Sequence, residues 1–536
     1  MSKITRRDVL KLMGTGAAGA ILAACAPKAV ESTPTTAAPS IAPTPTKGKP
    51  VTITMVECWF GVPQSKEILD PINKLISEKM QSEGLNINLQ SMVLDDHEHK
   101  YPLLYSSGAD FTMAFDAPWY KMDSLRTQGS LVALDDLFNT YGPRLKTEVT
   151  DRILNANKWD DHWYGIPTAG SYGSSSGVIL RNDLLKKYGA AAPDEIKGWT
   201  TLQPYLEAIA KNEPNLIPFE VEAGFGPVHE NFLLHRRTGT WNGVNAKTGI
   251  ILPDIDKGYT LVDIEDVPEI VEMARLLRSW WEAGLVNKTD MTTSGPGGTS
   301  VVDYLIPGKA AAVVENGTKY KYVDYESKMK SSLPDATLAG YDMSGIEAGR
   351  YRPVGALKQW NFIVFNAGAP EEQQIAGIQF FDWLVSSQEN IDLWLMGVDG
   401  VNYKKESNMR FSEIPGVDQA KNYRRQWYVG GVSGRFMRYP IDLPDDAMTS
   451  YQWENDESKW DFDPYESFNL DVKAVETETA QLNAAWAEAY HGFGTGQLPT
   501  DEAIAKMKKT LDDAGRQQYK AKVQKQLDDF IAAHKT

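Results

Sequence analysis

From Val51 onward the chain alternates short β-type runs with longer helical periods. Val51, Ile53 and Met55 alternate with Thr52 and Thr54 and open into Glu57-Cys58-Trp59-Phe60-Gly61, which predicts a strand leading into a loop. Ile68, Leu69, Ile72, Leu75, Ile76 and Met80 recur at helical spacing, Gly84 stops that period, and Ile87 and Leu89 begin a second alternation. Strand, helix, strand in this order predicts an open α/β sheet with crossover helices. In such sheets ligands sit beyond the carboxyl ends of the strands, the place Trp59 and Phe60 take after the first one.

The patterned body runs to roughly 485 residues, too long for one core and suited to two lobes. What precedes it is built differently. Residues 26–50 are almost wholly Ala, Pro, Thr and Ser, a composition that buries too little surface to fold and predicts an extended, disordered linker with a reach of roughly 75 Å. Before it, Thr5-Arg6-Arg7-Asp8-Val9-Leu10-Lys11 is a basic start and residues 12–22 a weakly apolar run too short to span a bilayer, so residues 1–24 are expected to be an export signal. Leu22-Ala23-Ala24-Cys25 resembles a bacterial lipobox and the arginine pair resembles a twin-arginine (Tat) signal, a Sec signal with a chance Arg pair being the alternative. The resemblance implies a lipid on Cys25 and a protein anchored at the outer face of the cell membrane or in the periplasm, with the lipid bilayer as a partner.

The formal net charge is −16, and loss of residues 1–24 removes four cations and one anion to leave −19, which disfavours nucleic acid as a partner. Cys25 and Cys58 are the only cysteines, so a lipidated Cys25 leaves no pair for an intramolecular disulfide, and Cys58 is expected to be a small buried residue at a strand end. No other segment offers eighteen consecutive apolar residues.

The middle of the chain reads Asn157-Lys158-Trp159-Asp160-Asp161-His162-Trp163-Tyr164-Gly165-Ile166-Pro167, then Gly177-Val178-Ile179-Leu180-Arg181-Asn182-Asp183-Leu184-Leu185, Pro193 and Trp199-Thr200. Thr200 and Gln203 are expected to form a capping box ahead of a helix through Leu202, Tyr205, Leu206 and Ile209. This succession resembles the family 1 extracellular solute-binding proteins of ABC importers, with Trp-Thr in place of the family's Thr-Trp and Trp159 near its customary Gly, the marks of a divergent member. Further landmarks follow in the family's order: Ser107-Gly108-Ala109-Asp110, Ile306-Pro307-Gly308-Lys309-Ala310-Ala311-Ala312-Val313, Phe362-Ile363-Val364-Phe365 with a helix from Glu371 to Ser386, and Gly397-Val398-Asp399-Gly400-Val401-Asn402-Tyr403.

The resemblance implies a two-lobed α/β periplasmic-binding-protein-like fold with a ligand cleft between lobes joined by hinge strands. It places lobe 1 at residues 51–167 plus about 360–425 and lobe 2 at about 168–359 plus about 426–536, with a third crossing between Tyr403 and Gly430. It implies a monomeric substrate-binding lipoprotein that captures a carbohydrate, an oligosaccharide, and delivers it to an ABC transporter permease. The 15 Trp, 23 Tyr and 17 Phe suit that ligand, because a sugar ring needs flat aromatic platforms and bidentate polar side chains. Trp59, Phe60, Asp116 with Trp119, Tyr172, Asn316, Trp360 with Asn361, and Trp427 meet the requirement, and Trp360-Asn361 at the hinge return leads the set.

Catalytic signals are weaker. Gly173-Ser174-Ser175-Ser176-Gly177 spells a nucleophile elbow, but the strand at Val178 follows the motif instead of preceding it. Asp95-Asp96-His97-Glu98-His99 lacks metalloprotease spacing and reads as a solvated helix start, and Gly295-Pro296-Gly297-Gly298-Thr299-Ser300 lacks the P-loop lysine. No catalytic residue, metal or cofactor is expected. With 71 carboxylates a glycosidase pair stays open, so an exported carbohydrate-active enzyme is the alternative, followed by a ligand-sensing lipoprotein not coupled to transport.

Overall fold

Alternation in the first run becomes strand β1 (Val51–Glu57), with Ile53 and Met55 buried on one face and Val56 on the other. The computed structural model describes residues 48–57, 65–94, 97–118, 120–167, 172–173, 176–189, 196, 198–221, 246–288, 300–343, 353–359, 361–407, 409–425 and 436–534. Further strands follow in chain order: β2 (Ile87–Val93), β3 (Met113–Asp116), β4 (Gly165–Pro167), β5 (Ser176–Arg181), β6 (Ala312–Asn316), β7 (Leu338–Asp342), β8 (Val354–Gly355), β9 (Phe362–Phe365) and β10 (Asp461–Phe462).

The first sheet has the order β2-β1-β3-β9-β4. β1 pairs in parallel with β2 and β3, whereas β9 runs antiparallel to β3 and β4, so Phe362 stands opposite both Asp116 and Pro167. The helix Lys66–Ser82 lays Leu69, Ile72, Ile76 and Met80 on one face of this sheet beside Ile378 and Phe381 of the helix Glu371–Leu384. Tyr101, Phe111, Met122 and Leu125 cover the other. A sheet covered on both faces has to be apolar on both, which is why β3 and β9 are buried throughout.

The second sheet is β6-β5-β7, all antiparallel, with Ser176 opposite Asn316 and Gly177 opposite Asp342. A Cβ on Gly177 would stand 2.0 Å from the Tyr341 carbonyl oxygen, so glycine here is a condition of that pairing. Its core gathers the helices Trp199–Asn212, Pro268–Ala283, Glu476–Gly494, Thr500–Asp513 and Arg516–His534, with Trp199, Tyr205, Trp280 and Tyr490 buried among them. The helix expected to be capped by Thr200 and Gln203 starts two residues earlier. Gly198 is its N-cap, its N–H donates to Thr201 Oγ1 (3.1 Å), and Gln203 instead accepts from Trp280 Nε1 (3.3 Å). Glycine satisfies a cap without a side chain, which residue-type patterns for capping overlook.

The first core reaches beyond residue 425 to Phe436, and Arg438 grips Asp392 with two hydrogen bonds of 2.8 Å. Next, the helix Asp445–Glu454 packs on the helix Thr318–Met329, where the Tyr320 hydroxyl donates to Glu454 Oε2 (3.1 Å). β10 then pairs with β8, and Phe468 enters the second core. Between Pro440 and Phe468 the chain thus passes from the first core to the second.

Arg516 is fully buried and fixes the last helix, donating to both oxygens of Glu265 (2.7 and 2.9 Å) and to Asp512 (3.0 Å), with Asp263 also within 3.4 Å. Removing Arg516 takes from the buried Glu265 the guanidinium that pairs both its oxygens, while Asp263 keeps Lys520 Nζ (2.6 Å) and Gln517 Nε2 (2.9 Å). Arg516→Ala should lower the unfolding free energy by about 3–5 kcal/mol in urea titration; a loss under about 1 kcal/mol would show that Glu265 is hydrated without it.

Candidate functional site

Because β1, β3 and β4 run one way and β9 the other, Glu57, Asp116, Pro167 and Phe362 share one end of the first sheet. Ser176, Asn316 and Asp342 share one end of the second. The chain passes between the sheets from these ends, out of β4 toward β5 and back into β9.

At the first end, Glu57 is buried and its Oε1 accepts from Ser91 Oγ (2.5 Å) and Arg425 Nη2 (2.7 Å). The same Nη2 also lies 2.9 Å from Asn73 Oδ1, and the guanidinium stacks 3.7 Å from the Trp394 ring centre. This cluster fixes the chain just ahead of both Trp59 and Trp427. Neither Glu57 nor Arg425 carries a sequence signal beyond its place beside an aromatic loop.

Asp116 was expected to face ligand, but it is buried and already engaged. Its Oδ1 accepts from the backbone N–H of Ala117 (2.7 Å) and Lys121 (3.0 Å), and its Oδ2 from the Tyr101 hydroxyl (3.0 Å). It shapes the turn that carries Trp119. Tyr101 in turn bonds Tyr105 (3.0 Å) and stacks on the half-buried Tyr120 at 5.9 Å. Burial pushes Asp116 up to about 6 against those hydrogen bonds and raises both Tyr101 and Tyr105.

Asn316 ends β6 half-buried. Its Oδ1 accepts from Lys321 Nζ, and its amide nitrogen has no partner among the described residues. Beside it the buried Glu315 accepts from Lys321 (2.9 Å) and from the Tyr325 hydroxyl (2.9 Å), a polar set that the apolar run around it concealed. Asn361 is half-buried where the chain enters β9. Tyr172 lies on the first crossing, its N–H donating to the Glu454 carbonyl (3.1 Å) and its hydroxyl to Glu457 Oε2 (3.3 Å). Burial, then the Glu457 charge, pushes that phenol up to about 12.

Next to Tyr172 a shallow groove of about 470 Å³ is lined by Arg152, Glu457, Ser458, Trp460, Asp461 and Phe462. Arg152 pairs with Glu457 and lies 4.2 Å from the centre of the Phe462 ring. Gly173 passes flat over Trp460, a Cβ there being 2.5 Å from the indole, which gives the glycine of the serine motif a packing reason.

Trp59, Phe60, Trp119, Trp360, Trp427 and Cys25 lie outside the described residues, as do Cys58, Ser174, Ser175, Asp95, Asp96 and the glycines of residues 295–298. Among the described residues no three His, Cys, Asp or Glu side chains are grouped to hold a metal ion, and no helix is long and apolar enough to cross a membrane.

Residues 78–425, about two thirds of the chain, match the family model described as bacterial extracellular solute-binding protein. The chain belongs to that family. A second model, Domain of unknown function (DUF3502), matches residues 464–532 of this solute-binding protein. Among solved structures it is similar to the N-glycan transport solute-binding protein NgtS of Streptococcus pneumoniae, with a TM-score of 0.69 and 18% identity over 91% of this chain and 100% of that one. The S. pneumoniae ABC-transporter substrate-binding protein FusA in complex with kestose gives a TM-score of 0.58 and 17% identity over 90% and 100%. The HMO-binding ABC-transporter-associated solute-binding protein of Bifidobacterium longum infantis gives 0.58 and 15% over 91% and 100%. No curated protein is detectably similar by sequence alone. These likenesses establish the two-lobed solute-binding fold for the solute-binding protein described here.

Asp116 titrates above its ordinary range, so the folded state holds its proton more tightly than the unfolded chain does. Its contribution to stability must fall as pH rises from 3.8 to about 6. Urea unfolding of Asp116→Asn beside the wild type should give a free-energy difference that changes by about 1–3 kcal/mol across that window and is flat above it; a difference independent of pH would mean a hydrated, ordinary carboxylate.

Proposed function

We propose that this solute-binding protein is the lipid-anchored capture subunit of an ABC importer and that its ligand is an oligosaccharide. The observation that carries the reading is that the solved neighbours span their whole length on this chain and are named for N-glycan transport, kestose and HMO binding. The two sheet ends support it, because the expected aromatic positions at Trp59, Phe60, Trp119 and Trp360 follow or precede strands of one end in the sequence, while Asn316, whose Nδ2 has no partner among the described residues, stands at the other.

In this reading lobe 1 comprises residues 51–167 and 361–440, lobe 2 comprises residues 176–343 and 464–534, and the solute is caught between them. Closure is favoured because only the closed state lets the ligand touch both lobes. The closed protein docks on a permease whose separate ATPase powers transport, and no residue of this chain performs covalent chemistry on the solute. Lipid on Cys25 and residues 26–50 confine the body near its permease, which raises its effective concentration there.

A thermal-shift screen of the purified body across mono- and oligosaccharides tests the ligand class. A binding sugar at 100-fold over its Kd adds about 2.7 kcal/mol of stability, and Trp360→Ala should weaken that sugar by about ten- to a hundredfold in calorimetry. Stabilisation only by peptides or polyols would overturn the carbohydrate assignment, and turnover of labelled oligosaccharide would overturn the binding role. For the anchor, Cys25→Ala should release the protein from membranes on fractionation while its sugar affinity stays unchanged; membrane retention of the variant would rule out the lipid.

A further inference from the structure

Residues 356–359 lead from β8 into β9 without strand pairing, and Leu357 and Gln359 are buried. Covered backbone outside a sheet needs side chains to satisfy it. Lobe 1 supplies Asn157, whose Nδ2 donates to the Leu357 carbonyl (2.8 Å) and whose Oδ1 accepts from the Gln359 N–H (2.8 Å). The other partners come from the start of the segment matched as a domain of unknown function. Glu466, only 4% exposed, accepts the N–H of Leu357 and of Lys358 (2.7 Å) on a single oxygen, Oε1. Lys358 Nζ reaches back to the Phe468 carbonyl and to Asn469 Oδ1 (2.6 Å). Asn469 Nδ2 donates onward to the Lys158 carbonyl of lobe 1 (2.7 Å).

We propose that Glu466 and Asn469 are positioning residues for solute binding, strapping the return crossing to both lobes and so holding the backbone from which Trp360 and Asn361 meet the ligand. The proposal rests on the reading that solute is held at the hinge return. It also gives the matched segment a role: most of residues 464–532 complete the second core through Phe468, Trp486, Tyr490, Met507, Tyr519 and Leu527, while the first turns reach out to the joint. Two features set the strap apart from ordinary packing. Glu466 Oε2 is buried without a partner among the described residues, a cost that side-chain packing alone does not require, and Asn469, an exposed residue, links the return crossing to lobe 1 with its one amide group. Burial pushes Glu466 up to about 7 and Lys358 down to about 8, as fits a joint closed to water.

The test uses the body labelled with 5-fluorotryptophan and needs no sugar. The ¹⁹F resonance lost in Trp360→Phe reports Trp360, and hydrogen exchange reports the Leu357 and Lys358 amides. In Glu466→Ala those amides should exchange at least tenfold faster and the Trp360 resonance should shift or broaden. Glu466→Gln, which keeps the acceptor, should restore both. Asn469→Ala, exposed and so no threat to folding, should move the Trp360 resonance while those of Trp280 and Trp486 stay in place. An unmoved Trp360 resonance in Asn469→Ala, or a uniform change of all resonances and amides in Glu466→Ala that the Gln variant does not reverse, would overturn the strap. If no sugar binds while the strap variants behave as expected, the carbohydrate reading fails and the joint stands.

Discussion

Backbone that passes from one hydrophobic core to another leaves its sheet behind, and every N–H and C=O in the covered part of that passage needs a new partner. In this protein the crossings solve the problem for one another. Tyr172 on the first donates its N–H to the Glu454 carbonyl on the third and accepts the Ala356 N–H of the second on its own carbonyl, and the second and third share the short β8–β10 pair. Where no backbone partner is near, Asn157 and Glu466 take the role. Side-chain partners suit a joint better than a long ladder does, since a rotamer change can follow a change in chain direction that would break a sheet register.

Outside the joint, buried guanidiniums pin each body, Arg425 in the first and Arg516 in the second. Arg425 and Glu57 are 368 residues apart in sequence, Arg516 and Glu265 are 251 apart, and both pairs join a late segment to an early one. Burying such charges contributes little net stability compared with an apolar cluster of the same volume. What they contribute is register, because a guanidinium with several acceptors tolerates one placement of the segments around it. For Arg425 that placement sets the exits of two aromatic loops at once.

These separations also explain how much was legible in the sequence. The first strand-helix-strand unit, with its ends at Glu57, Ser82 and Val93, follows from local periodicity, and the motif order from Gly165 to Tyr403 carried the family. Periodicity says nothing of a contact that spans hundreds of residues, so it does not reveal that Phe436 packs in the first core. The bonds of Asp116 are hidden for another reason: a carboxylate at a strand end beside an aromatic looks the same whether it serves a sugar or its own turn. Only the Tyr101 hydroxyl and two backbone N–H groups, none adjacent in an obvious pattern, distinguish the cases. Glu315 was missed because it sits within an apolar strand run.

The aromatic residues therefore divide by the partners they already have. At the joint, Trp460 is buried, one face of Phe462 is taken by Arg152, and Tyr172 meets Phe462 edge-on at 5.5 Å while its hydroxyl bonds Glu457. A sugar that stacked on any of these rings would first have to displace an arginine or break the hinge, so the groove beside them is a poor platform despite its aromatic lining. The sheet end makes the opposite use of its side chains: Glu57 and Arg425 pair with each other and Asp116 with the backbone of its own turn, which fixes the described chain next to the aromatic positions expected to bind. A cleft that must open and close needs such a division, since rings that hold the joint cannot be released to bind, and rings that bind must not be needed to hold the joint.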